Sequence, residues 1–182
     1  RAGALAIEPA GLDEEERITR DLLVLVAEHE IEEDALRADL VPFWGHRGHQ
    51  SLLPELVHLQ KADTPERLER LLSRIAAYPA LTDAVIGLLA EGRAAGLTAA
   101  RVVADRAVAQ VERLLASPAA DSPIVTVPAV ADEADRARIQ EAVERHIRPA
   151  DARYLEVLRA YLPAAREEPG LCALPDGETR YA

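Results

Sequence analysis

Asp63-Thr64-Pro65-Glu66-Arg67-Leu68-Glu69-Arg70-Leu71-Leu72-Ser73-Arg74-Ile75 is the stretch on which the fold class turns. Thr64 is placed to cap a helix whose first residue is Pro65, where a missing N–H costs nothing, and Glu66 puts an acid in the electropositive first turn. Leu68, Leu71, Leu72 and Ile75 then fall three and four apart, the spacing of one helix face rather than the alternation of a strand. Tyr78-Pro79 reads as the end of this helix, because proline lacks the N–H that the next turn needs. A second helix is expected from Ala80 to Ala95, with Leu81, Val85, Leu88 and Leu89 as its apolar face and Gly96 as its C-cap. So short a connection makes the two antiparallel neighbours.

The same reasoning extends in both directions. Upstream, Asp13 and Glu16 form a capping box, and Ile18, Leu22, Leu25 and Val26 share one face of a helix expected to run into the late thirties. Its acidic members Glu28, Glu30, Glu32, Glu33 and Asp34 read as a solvated face. Downstream, Thr98 is expected to cap a helix that buries Val102, Val103, Val111, Leu114 and Leu115. Residues 117–132 hold Pro118, Pro123 and Pro128 and read as an irregular linker crossing the surface. The last long helix, from about Glu133 to Ala165, presents Ile139, Val143, Ile147, Tyr154, Leu155, Leu158 and Tyr161 on its apolar side, with a kink expected at Pro149. Pro175-Asp176-Gly177 is a turn signal. The expectation is therefore all-α: five or six mostly antiparallel helices in a single helical segment over residues 1–182.

Composition narrows the function classes. Hydrophobic residues make up 49% of the chain but aromatics only 3%, so the interior must be built from Leu, Val, Ile and Ala. A formal net charge of −11 argues against a nucleic-acid partner, which would call for clustered Lys and Arg. Cys172 is the one cysteine, which excludes an intrachain disulfide and a Cys-rich zinc module. It stands two residues after Gly170, has no adjacent histidine, and reads as a buried inert thiol. With no apolar run approaching the roughly 20 residues that span a bilayer, no membrane partner and a cytoplasmic location are expected. The chain has no methionine and opens on Arg1, so sequence upstream of it is expected as well.

One stretch is compositionally unlike the rest. Val41-Pro-Phe-Trp-Gly-His-Arg-Gly-His-Gln50 is broken by Pro42, Gly45 and Gly48 and reads as a loop, yet it holds the one Trp, the one Phe and two of the five histidines. Phe43, Trp44, His46, His49 and Gln50 are therefore the candidate cleft-contacting residues. The blander reading is that the rings pack onto helix ends and the imidazoles bond the loop. His46, His49 and His58 could be grouped as metal ligands, but a glycine-broken loop does not fix three or four converging donors, and no metal ligand is assigned. His29-Glu30 begins a zincin-like His-Glu-x-x-His pattern whose second histidine is missing. Phosphate-cradle, dinucleotide-turn and nucleophile-elbow motifs are absent, and no catalytic residue is assigned.

An ordered set of short segments resembles the N-terminal part of the bacterial domain-of-unknown-function family 885. These are Val-Pro-Phe around Pro42, Leu-Leu-Pro-Glu-Leu from Leu52, Asp-Thr-Pro-Glu from Asp63, Ile-Ala-Ala-Tyr-Pro from Ile75 and Glu-Gly-Arg-Ala-Ala-Gly-Leu-Thr from Glu91. Tyr-Leu-Pro-Ala-Ala-Arg-Glu from Tyr161 and Pro-Gly-Leu-Cys-Ala-Leu-Pro-Asp-Gly-Glu from Pro169 complete the set. The resemblance implies a longer, metallopeptidase-like hydrolase whose His-Glu metal motif lies beyond the point matching Ala182. It implies a divalent metal, zinc, for the whole protein and no cofactor in this chain. The chain would then be a helical scaffold, inactive alone, whose partner is the remainder of its own polypeptide. The alternative is a stand-alone helical interaction module without enzymatic activity. Self-association is expected of a chain whose helices carry apolar residues around more than one stripe.

Overall fold

The computed structural model of the chain describes residues 1–40 and 48–178. It is all-α: among the described residues there is no strand, and extended pairing is confined to two isolated bridges, Ala62 with Val130 and Ala100 with Arg166. Two compact units are present, Arg1–Asp39 and Leu40–Ala182.

The first unit holds α1 (Ala2–Leu5) and α2 (Glu14–Ala35). The capping box forms: the Glu16 N–H donates to Asp13 at 2.9 Å and the Asp13 N–H donates to Glu16 at 3.0 Å. The apolar face foreseen for α2 is left uncovered, with Ile18, Leu22, Leu25 and Val26 each more than half exposed.

The second unit holds α3 (His49–Leu56), α4 (Pro65–Ala94), α5 (Arg101–Ala116), α6 (Pro123–Thr126), α7 (Glu133–Ala142) and α8 (Arg148–Tyr161). Thr64 caps α4 as its sequence dictates, accepting from the Arg67 N–H. The helix does not stop at Tyr78-Pro79, however, and the expected antiparallel pair is one helix of 30 residues. The reason lies in the phase of its stripe. Leu68, Leu71, Ile75, Tyr78 and Thr82 are all buried, at steps of three and four that pass straight through Pro79 and lead on to Leu89. Both halves therefore pack on the same partners, and that shared burial outweighs the roughly 3 kcal/mol an interior proline costs. By length and composition α4 is long and apolar enough to cross a bilayer; its buried stripe packs against α7 and α8. At its end the Leu97 N–H donates to Gly92 and the Gly96 N–H to Arg93, with Gly96 at φ 73°, a Schellman stop.

Other expectations are corrected in the same way. The loop foreseen for residues 41–50 gives way to helix at its end, since His49 and Gln50 open α3. Thr98 does not cap α5: Ala100 holds that position without a side-chain bond, and the Thr98 carbonyl instead accepts from the Arg166 guanidinium at 2.8 Å. The face of α5 is set by Ala104, Ala107, Val108 and Val111, which turns Val102 outward. Residues 117–132 do not run over the surface. Ala119, Ile124, Val125 and Pro128 are buried, and the Ala62 N–H donates to Ala129. Pro149 is accommodated by one π-turn, Val143–Ile147, in which the Arg148 N–H reaches back to Val143. Cys172 is exposed, because the turn Leu171–Ala173 directs Leu174 into the core instead.

Two apolar clusters make up the second unit. One gathers Leu89, Val108, Val111, Tyr154, Leu158 and Tyr161, and the other Leu68, Ile75, Tyr78, Ile139, Val143 and Ile147. α4 and α8 run through both, and the residues where the clusters adjoin on these helices are polar.

Candidate functional site

On α4 the apolar stripe turns polar at Tyr78 and Thr82, and on α8 it does so at Asp151 and Tyr154; all four are buried. α3 delivers His49 to the same place. The His49 Nε2 lies 2.9 Å from the Thr82 hydroxyl oxygen, and that hydroxyl donates its hydrogen to the Tyr78 carbonyl at 3.0 Å. A hydroxyl has one hydrogen, so Thr82 accepts from His49, and the imidazole carries its proton on Nε2. Nδ1 is left as a bare acceptor, buried and with no partner among the described residues. Burial pushes the His49 pKa down to about 4, which keeps the ring neutral near pH 7. The ring stacks on Tyr78 at 4.7 Å and meets the edge of Tyr154 at 5.0 Å.

Asp151 is 6% exposed and accepts a 2.8 Å hydrogen bond from the Tyr78 hydroxyl. Burial pushes its carboxyl up to about 6, against the opposing pull of that bond and of the Arg148 charge. The Tyr78 and Tyr154 hydroxyls are driven well above the ordinary phenol range, first by burial and then by the Asp151 charge, so both stay protonated. The Tyr154 hydroxyl has no partner among the described residues.

A pocket of about 360 Å³ opens beside this cluster. Its floor is apolar, from Leu114, Ile124, Val143 and Ile147, and its polar lining includes Gln50, Tyr78, Gln110 and Asp151. The Gln50 amide nitrogen donates to Gln110 at 2.8 Å, while its side-chain oxygen is buried without a partner. Gly48 makes room for this: a β-carbon there would collide with the Gln50 amide.

Of the residues singled out in sequence, the structure brings His49 and Gln50 into this region, one on the tyrosine pair and the other on the pocket wall. Phe43, Trp44 and His46 lie outside the described residues. His58 is exposed, and His29 pairs on the surface with Glu33 at 3.8 Å. Sequence reasoning missed Tyr78, Thr82, Gln110, Asp151 and Tyr154. The available signal was a polar residue in phase with an apolar stripe, which Tyr78 and Thr82 display. Among the described residues no three His, Cys, Asp or Glu side chains converge as metal ligands.

An all-α protein with a tyrosine, aspartate and neutral histidine buried beside an apolar pocket is thus the class that fold and site define. The chain matches, over residues 1–182, the family described as "Bacterial protein of unknown function (DUF885)", and it belongs to that family. No curated protein and no solved structure matches it.

Proposed function

We propose that the chain is the helical N-terminal part of a bacterial metal-dependent hydrolase acting on peptides or amides, and that it supplies a wall of the substrate cleft while the metal is held elsewhere in the polypeptide. The observation that carries this is the pocket beside Tyr78 and Asp151: it is large enough for a side chain or small molecule, mostly apolar, and edged by buried Asp151 and by Gln50, whose buried side-chain oxygen has no partner among the described residues. The family resemblance supplies the reaction class, and zinc is the metal proposed for the whole protein. The test is hydrolysis of short peptides by the natural gene product, with and without a chelator, beside the 182-residue chain alone. Activity in the first that chelation abolishes, with none in the second, is the expected result. No hydrolysis by either, or hydrolysis by the chain alone, overturns it.

A second reading, an interaction module, is favoured by α2, whose Ile18, Leu22, Leu25 and Val26 are exposed on one face of an acidic helix. On this reading the chain stands alone, without enzymatic activity, and the face binds a partner protein or a second copy. Light scattering of the chain, beside a variant with Leu22, Leu25 and Val26 replaced by Gln, separates association through this face from a monomer.

A further inference from the structure

Asp151 is the buried group hardest to account for by folding alone. A carboxylate taken out of water needs a cation or several donors, and removing it from solvent unpaired is expensive. Among the described residues it receives one hydrogen bond, from a neutral phenol, and no ion pair. The nearby cation is otherwise committed: the Arg148 guanidinium donates to the carbonyls of Leu115 at 2.7 Å and Ser117 at 2.9 Å and lies 3.4 Å from Glu144. Gln50, 5% exposed, leaves its side-chain oxygen unsatisfied. Both residues line the same pocket, whose remaining surface is largely aliphatic.

We propose that this pocket binds the ammonium group of a small amine with an apolar body, Asp151 and the Gln50 oxygen accepting its hydrogens and the aliphatic floor covering the rest. An ammonium offers three donors and a positive charge, which answers the Asp151 charge and the unmet Gln50 oxygen together, whereas a carboxylate ligand would set like charges together in a desolvated site. Leu114, Ile124, Val143 and Ile147 provide the apolar contact that holds the body of the ligand. Arg113, Asp121 and Arg148 also line the pocket; Arg113 and Asp121 are exposed, and the Arg148 guanidinium is turned to the Leu115 and Ser117 carbonyls and to Glu144, which leaves Asp151 and Gln50 as the acceptors of the interior. A free amine and the N-terminus of a peptide share this chemistry. The proposal rests on the reading of the cavity as a ligand-contacting wall, and it names the chemistry of what enters.

Calorimetric titration of the chain with leucinamide, 4-methylpentanamide and 4-methylpentanoate tests it, since the second compound lacks only the ammonium and the third lacks it and carries a carboxylate in place of the amide. Leucinamide is expected to bind at least tenfold more tightly than either. Asp151→Asn abolishes that preference, and Gln50→Leu, on another helix, reduces it at least threefold, with thermal unfolding confirming that each variant is folded. Leu-Gly-Gly titrated in parallel separates the sources: binding like leucinamide points to a peptide N-terminus, and leucinamide binding alone points to a free amine. Equal binding of leucinamide and 4-methylpentanamide, a preference for the carboxylate, or an unchanged preference in folded Asp151→Asn overturns the proposal. Because the readout is binding, an absence of peptide hydrolysis would remove the hydrolase reading and leave this site standing.

Discussion

The Tyr78 hydroxyl donates to Asp151 at 2.8 Å while the face of the same tyrosine ring carries the stacked imidazole of His49. One side chain of α4 thus joins a buried acid on α8 to a buried base on α3. Desolvation disfavours the charged form of both, so it moves their pKa values in opposite directions over nearly the same pH range. Neither group meets a strong opposite charge, which is why burial dominates each shift.

That opposition predicts a pH response hidden in the unsubstituted protein. Asp151 rises from 3.8 to about 6, so its contribution to stability is fully present below pH 3.8 and is lost as pH rises through 6. His49 falls from 6.5 to about 4, so its contribution is present above pH 6.5 and is lost as pH falls through 4. Each is worth about 3 kcal/mol across its window, and the two nearly cancel. Asp151→Asn should unmask a stability that climbs with pH by about that amount, and His49→Gln one that declines by about as much. Urea unfolding across the window measures both slopes, and slopes parallel to the unsubstituted chain in both variants would contradict the burial of this pair.

The proton on His49 Nε2 gives a second prediction. Thr82→Val keeps shape but removes the acceptor, leaving a buried N–H unsatisfied at a cost of about 1–3 kcal/mol, unless the imidazole moves its proton to Nδ1. Thr82→Ser keeps the acceptor and the tautomer. Nitrogen chemical shifts of the ring report where the proton sits. A proton on Nδ1 in the unsubstituted chain, or an undiminished stability in Thr82→Val with Nε2 still protonated, would refute the arrangement.

How much of this was legible in the sequence depends on whether the deciding interaction is local. Helix starts at Asp13 and Thr64 were legible because a cap is a contact between residues three apart. The all-α class followed from apolar spacing. The continuation of α4 through Pro79 was not, because the burial that overrides proline comes from α7 and α8, more than 50 residues away. In the site, His49 and Gln50 drew attention by composition, whereas Asp151 sits in a charged stretch, Arg148-Pro-Ala-Asp-Ala-Arg153, where an acid looks like ordinary helix surface. Its burial is a consequence of the helix phase set after the π-turn.

The prolines of α4 and of the Glu133–Tyr161 helix supply the last prediction, because the fold treats them differently. Pro79 sits inside regular α-helix, where its ring crowds the carbonyl of Ile75 and no N–H is available to bond it. Pro149 follows a π-turn that has already rearranged the preceding bonds, and it occupies the first turn of α8, where a missing N–H is cheap. Pro79→Ala should therefore stabilise the chain by about 1–3 kcal/mol, since alanine restores the donor and lies at the favourable end of helix propensity. Pro149→Ala should change stability by less than about 1 kcal/mol, within the range of substitutions that touch no special feature. Urea unfolding of the two variants under one condition reads the contrast. Equal gains would mean that the π-turn relieves nothing, and a loss at Pro79 would mean that the proline shapes the bend of α4 on which the Tyr78–Asp151 contact depends.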